Sequence, residues 1–133
     1  MYKRQVKNTL AVLGKWSNQA IENKNYDRAL QILDVALSFA PQDRTTRHNM
    51  RYVLHQAMQV ATTDEKTQSL RATATDLYQR TEDKTFLAVH GRVLQNKAYD
   101  LAESGDYEGA LQLTETSGAV SYTHLTLPTI YSV

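Results

Sequence analysis

The chain has 133 residues, with 15 basic and 14 acidic side chains that give a formal net charge of +1, and it contains no cysteine. This length suffices for one domain with a modest core. The lack of cysteine excludes disulfide frameworks and thiolate metal sites in this chain. No run of about 18 apolar residues occurs, so the sequence predicts no membrane span. The near-neutral balance disfavours nucleic acid as a partner, and the composition leaves the compartment open.

The two chain ends differ from the rest and are related to each other at the DNA level. If GTG encodes Met1, one DNA sequence encodes residues 1–5, and its reverse complement encodes the start of residues 120–133. This inverted sequence resembles the transposase mosaic-end adapter of sequencing libraries. We therefore expect both segments to be adapter-derived and the true N-terminus to be absent; the alternative is coincidence and a genuine β-like tail. Without Lys3 and Arg4 the basic count falls to 13 against 14 acidic residues, a charge of −1.

Apolar residues recur at helical spacing along the remaining 6–119, and Gly, Pro and short polar residues separate the periodic segments. The predicted helices span about 7–23, 26–40, 44–61, 64–80, 84–104 and 107–117. They pair into antiparallel hairpins over about 7–40, 44–80 and 84–117. The sequence therefore predicts an all-α chain.

Capping residues mark several helix starts. Asn25 and Asp106 are predicted N-caps, and Thr62 with Glu65 has the spacing of a capping box. Gly105 suits a left-handed position after a helix. These caps support the short turns between paired helices.

Three aromatic residues occupy apolar helical positions. Trp16, Phe39 and Phe86 are therefore expected in the core, with ligand contact as the alternative.

One six-residue motif occurs twice in the chain, with differences at two positions. Residues 26–31 read Tyr-Asp-Arg-Ala-Leu-Gln, and residues 107–112 read Tyr-Glu-Gly-Ala-Leu-Gln. A recurring helical hairpin that cannot cover its own apolar face typically stacks on further copies to form an extended binding surface. The repeat therefore indicates a binding scaffold.

The repeated hairpins resemble the tetratricopeptide repeat (TPR) family, whose unit is about 34 residues. The residues that carry this resemblance are Tyr26, Ala29, Ala36, Pro41, Gly105, Asp106, Tyr107 and Ala110. The resemblance implies a right-handed superhelical stack of about three antiparallel hairpins, a TPR-like α-solenoid fragment. In such a stack, alanine at the first small position lets the two helices of a hairpin approach closely.

The resemblance has departures. The two copies lie 81 residues apart, which is neither two nor three repeat lengths, and Arg51 stands where the simplest register expects a small residue. In the second copy, Ser117 and Tyr122 replace the later small residue and the proline. A truncated repeat explains the second departure, and the exposed end predicts self-association.

In solenoids of the TPR family the first helices line a concave groove that binds an extended peptide or a partner helix. This resemblance implies groove positions at Asn18, Glu22, Tyr52, Gln95 and Tyr99. An ordinary solvated face is the alternative for each of them. Gly14 occupies a position where some peptide-clamping members carry lysine, so the sequence does not support that clamp.

No catalytic or cofactor motif is present in the sequence. His48 and His55 lie about 10 Å apart along one predicted helix, so they do not share a metal. We therefore expect no enzyme activity, no metal and no cofactor. The expected function is a non-catalytic scaffold for protein–protein contact. The alternative is a regulatory or docking segment of a larger enzyme whose catalytic domain lies outside this chain.

Overall fold

The structure, a computed structural model, describes residues 2–116. Over that range the chain is all-α, and its six helices are α1 (Tyr2–Glu22), α2 (Tyr26–Phe39), α3 (Arg44–Val60), α4 (Asp64–Thr81), α5 (Thr85–Glu103) and α6 (Tyr107–Thr116). The predicted helix bounds are confirmed to within one residue except at the start of α1. That helix begins at Tyr2 rather than near residue 7, so residues 2–5 form its first turn. The tail 120–133, with Ser117 and Tyr122, lies outside the described residues.

The helices belong to two compact units, the first ending at Leu87 and the second beginning at Ala88. In the first unit each helix packs on its neighbour in the chain: α1 on α2, α2 on α3 and α3 on α4. Its buried apolar side chains are Ala20, Ala29, Leu33, Ala36, Leu37, Met50, Val53, Leu54, Ala57, Met58, Leu70, Ala74, Leu77 and Phe86. Sequential packing of this kind is typical of helical hairpins. The right-handed superhelix itself stays a prediction.

In the second unit α5 and α6 pack together through small residues. Ala98 and Ala102 of α5 form a buried cluster with Ala110 of α6, and Leu101 and Leu113 pack against it. Ala110 is fully buried, as is its counterpart Ala29 in the first unit. Both alanines of the repeated segment therefore lie in helix–helix contacts, as the sequence predicted.

The turn between α1 and α2 and the turn between α5 and α6 have the same hydrogen bonds. After α1, the amide of Asn25 donates to the carbonyl of Ala20 at 2.8 Å. After α5, the amide of Asp106 donates to the carbonyl of Leu101, also at 2.8 Å. This long backward bond is the mark of the Schellman motif, in which the helix ends through one left-handed residue. The repeat in sequence is thus a repeat in backbone geometry.

The helix starts that follow these turns are also equivalent. The Asn25 side chain accepts a hydrogen bond from the amide of Arg28 at 3.3 Å, and that of Asp106 accepts one from the amide of Gly109 at 2.9 Å. Both predicted N-caps are confirmed. Before α4, however, the cap is Thr63, which accepts from the amide of Lys66 at 3.1 Å.

The prediction that Thr62 caps α4 is therefore wrong by one residue. Ala61 ends α3 in an extended conformation, so the chain runs two residues further before α4 begins. The middle turn has no left-handed residue and differs from the repeated turn.

The left-handed residue of the repeated turn is Lys24 in the first unit, with φ 58°, and Gly105 in the second, with φ 97°. A side chain at such a φ costs about 1–2 kcal/mol, and glycine avoids that cost. We therefore expect Lys24→Gly to raise the free energy of unfolding by about 1 kcal/mol, measured by urea denaturation.

The matched variant is Gly105→Ala, which we expect to lower the free energy of unfolding by about 1 kcal/mol. A Lys24→Gly protein no more stable than the parent would contradict the assignment of a strained turn at this position.

Candidate functional site

Three of the predicted groove residues lie in the first unit. Asn18 and Glu22 are exposed on α1, and Tyr52 is exposed on α3 with 44% of its surface accessible. An accessible tyrosine offers a flat contact area and loses little conformational entropy on binding. All three side chains are therefore accessible on the surface of the first unit.

The other two predicted groove residues lie on α5 in the second unit. Tyr99 is 48% exposed, and Gln95 is half-buried. The predicted groove residues are thus divided between the two units, and a shared groove stays a prediction.

Glycine leaves open space on the first helix of each repeated hairpin. A Cβ added at Gly14 of α1 or at Gly91 of α5 would meet no neighbouring atom within 4 Å. The Gly14 carbonyl accepts a hydrogen bond from the hydroxyl of the fully buried Ser17 at 2.8 Å. The buried Ser17 hydroxyl is therefore hydrogen-bonded within its own helix.

The prediction that three aromatic residues belong to the core is confirmed only for Phe86. Phe86 is fully buried, whereas Trp16 is 53% and Phe39 is 49% exposed. The apolar stripe of the first hairpin is wider than one neighbouring helix can cover. Trp16 on α1 and Phe39 at the end of α2 therefore stay about half exposed.

A shallow depression of about 380 Å³ lies between α1 and α2. Trp16 and Ile32 supply its apolar walls, and Arg28 supplies a cation at its rim. None of the predicted groove residues lines it. The width of the apolar stripe was the sequence signal for this surface, because it holds more apolar positions than one contact uses.

Asp83 is the centre of a polar cluster in the first unit. It lies in the connection before α5. Its carboxylate forms ion pairs with the guanidinium groups of Arg51 and Arg47, at nitrogen–oxygen distances of 2.9 Å and 3.3 Å. The backbone amide of Thr85 donates to the same carboxylate at 3.0 Å, and the Thr85 hydroxyl donates as well. These bonds attach the start of α5 to α3.

The same cluster explains why arginine occupies position 51. The Arg51 guanidinium lies 5.7 Å from the centre of the buried Phe86 ring, in the range of a cation–π contact. Burial alone would raise the pKa of Asp83, but the hydrogen bonds from Thr85 and the charges of Arg51 and Arg47 hold the pKa below its usual value. Arg51 therefore has a structural role of its own, the ion pair with Asp83, at a position where the repeat pattern expected a small residue. Sequence spacing could not show this, because Asp83 lies 32 residues away.

A second set of ion pairs joins α2 to α4. Asp27 accepts from Lys66 at 2.8 Å, and Asp34 pairs with Arg80 near the other end of the contact. The hydrogen bond to Asp34 raises the pKa of Arg80 above its usual range. Between the two pairs lies a groove of about 520 Å³ in which Leu30 is half-buried.

The described residues include no group of three or more His, Asp or Glu side chains placed to hold a metal ion. None of the helices within 2–116 is both long enough and apolar enough to cross a membrane.

The remaining residues of the predicted repeat signature have varied environments. Tyr26 is half-buried, Tyr107 is 54% exposed, and Ala36 is buried. Pro41 is exposed just beyond the end of α2, where it was expected. Asp106 acts as an N-cap and Gly105 takes the left-handed position.

Comparison with known proteins gives no relative: the chain matches no protein-family model, no curated protein and no solved structure.

Proposed function

We propose that this chain is a protein-interaction module built from TPR-like helical hairpins, which binds a peptide or a partner helix and has no catalytic activity of its own. The observation that carries the proposal is the repeated turn. Two hairpins that share the same backward hydrogen bond, the same cap and the same buried alanine are copies of one structural unit. Proteins made of such units present extended surfaces to other proteins.

Exposed aromatic side chains on the first helices support this function. Tyr52 on α3 and Tyr99 on α5 are each nearly half exposed, and tyrosine is among the residues enriched in binding hot spots. Asn18 of α1, also exposed, can both donate to and accept from a peptide backbone. We propose that these positions contact the partner.

The test is capture of binding proteins, followed by affinity measurement with each captured protein. We expect Tyr52→Ala and Tyr99→Ala each to weaken binding about tenfold or more, because a tyrosine hot spot contributes about 2 kcal/mol. The readout is the Kd from isothermal titration calorimetry.

Gln79→Ala is the control, because Gln79 is also exposed but lies on α4, the second helix of the hairpin that α3 begins. The proposed groove would be rejected if both tyrosine variants kept the parent Kd, or if Gln79→Ala weakened binding to the same degree.

A further inference from the structure

One face of α2 carries two carboxylates around a leucine and a glutamine. Asp27 and Asp34 are seven residues apart, with Leu30 and Gln31 between them. Seven residues correspond to about two turns, so these side chains share one face of the helix. This arrangement will be called the acidic face of α2.

Two ion pairs join the acidic face of α2 to a helix of the same chain across an open groove. Lys66 and Arg80 of α4 pair with its two carboxylates, and Leu30 is half-buried between the helices. The ion pairs are solvent-accessible, so they contribute little to affinity and mainly select a partner with cations at the right spacing. Leu30 lines the groove between the helices together with Leu77 of α4.

The same pattern recurs on α6 at the repeat spacing. Glu108, Leu111, Gln112 and Glu115 occupy the positions that correspond to those of the acidic face of α2. The two glutamates are exposed, and Leu111 has 44% of its surface accessible. These four residues will be called the acidic face of α6.

We propose that the acidic face of α6 docks a helix from a partner protein that presents two basic side chains, as α4 does on α2. In α4 the two cations are 14 residues apart, about 20 Å along the helix and close to one side of it. A helix with that cation spacing and an apolar side chain between the cations fits the carboxylates and Leu111 together. This surface is separate from the proposed groove, because it lies on a second helix.

The probe for this proposal is a synthetic peptide of residues 64–81, the α4 sequence, held helical by a staple on the side opposite Lys66 and Arg80. We expect saturable binding to the full chain, measured by fluorescence anisotropy. Glu108→Lys combined with Glu115→Lys is expected to weaken binding about tenfold or more, because like charges then face each other. A peptide with Lys66→Glu and Arg80→Glu should bind the parent chain equally poorly.

Charge reversal on both sides provides the decisive comparison. The reversed peptide should regain affinity for the Glu108→Lys, Glu115→Lys chain, a recovery that general loss of structure could not produce. The matched control is Asp100→Lys with Glu103→Lys, which makes the same change in net charge on exposed positions of α5. This control should leave binding within about twofold of the parent.

Three results would overturn the proposal. The first is binding that does not respond to the α6 reversals, and the second is an equal loss with the α5 control. The third is self-association of the chain, seen by analytical ultracentrifugation and abolished by the α6 reversals, which would assign the face to a second copy. None of these results bears on Tyr52 and Tyr99, so the groove proposal is tested independently.

Discussion

Phe86→Ala is expected to lower the free energy of unfolding of the first unit by about 3–5 kcal/mol. The Phe86 side chain is fully buried, and the alanine variant would leave a cavity in a packed core. It would also remove the ring that lies 5.7 Å from the Arg51 guanidinium. This is the largest single-residue effect we expect in the chain.

Urea denaturation followed by tryptophan fluorescence measures this effect in the relevant unit. The chain has one tryptophan, Trp16, which lies in the first unit on α1. The control is Leu87→Ala at the next position, where 45% of the side chain is exposed and we expect a cost below about 1 kcal/mol. Equal losses in the two variants would contradict the core position of Phe86.

Asp83→Asn is expected to lower the free energy of unfolding by about 2 kcal/mol near neutral pH, because hydrogen bonds to charged groups are worth about 1.5–3 kcal/mol. Asparagine can still accept the bonds from Thr85, so the loss reports mainly the charge that pairs with Arg47 and Arg51. The measurement is again urea denaturation with Trp16 fluorescence.

The pH dependence of the difference in unfolding free energy between the parent and Asp83→Asn tests whether the charge of Asp83 causes it. Burial would raise the pKa of Asp83, but the Thr85 hydrogen bonds and the two arginine charges outweigh it and lower the pKa below its ordinary value of 3.8. A carboxylate with a lowered pKa in the folded state stabilises the protein above its ordinary pKa. That contribution is lost as the pH falls through the folded-state value.

We therefore expect the stability difference between the parent and Asp83→Asn to be constant at neutral pH and to shrink in acid below 3.8. Asp76→Asn serves as the control, because the Asp76 carboxylate is 61% exposed in its pair with Arg80. Its effect should stay below about 0.5 kcal/mol. A difference for Asp83→Asn that persists unchanged into acid would show that the ion pairs do not cause it.

The candidate binding surfaces could be predicted only in part. Asn18, Tyr52 and Tyr99 are exposed because helical spacing places them off the apolar stripe, and their place in a groove stays a prediction. The acidic face of α6 was not predicted, although its residues are part of the repeated segment. The proposal that this face binds a basic helix depends on Lys66 and Arg80, which pair with α2 from more than 30 residues away in sequence.

The expectation that Trp16 and Phe39 belong to the core was wrong for a related reason. Periodicity identifies the apolar side of a helix, but it does not say how much of that side a neighbour covers. In the first hairpin the stripe is wide: Ala29, Leu33 and Ala36 are buried, whereas Trp16 and Phe39 are about half exposed. Trp16 lines the shallow depression between α1 and α2.

By itself, the sequence determined the helix bounds except the start of α1, the caps at Asn25 and Asp106, the left-handed Gly105 and the burial of Ala29 and Ala110, because caps, helical periodicity and small residues act over a few positions. Only the tertiary structure decided that Lys24 takes a left-handed conformation, that Arg51 pairs with Asp83, and which apolar residues stay exposed. Those outcomes depend on which helices meet and on how closely they approach. Such contacts join residues far apart in the chain, and local spacing carries no record of them.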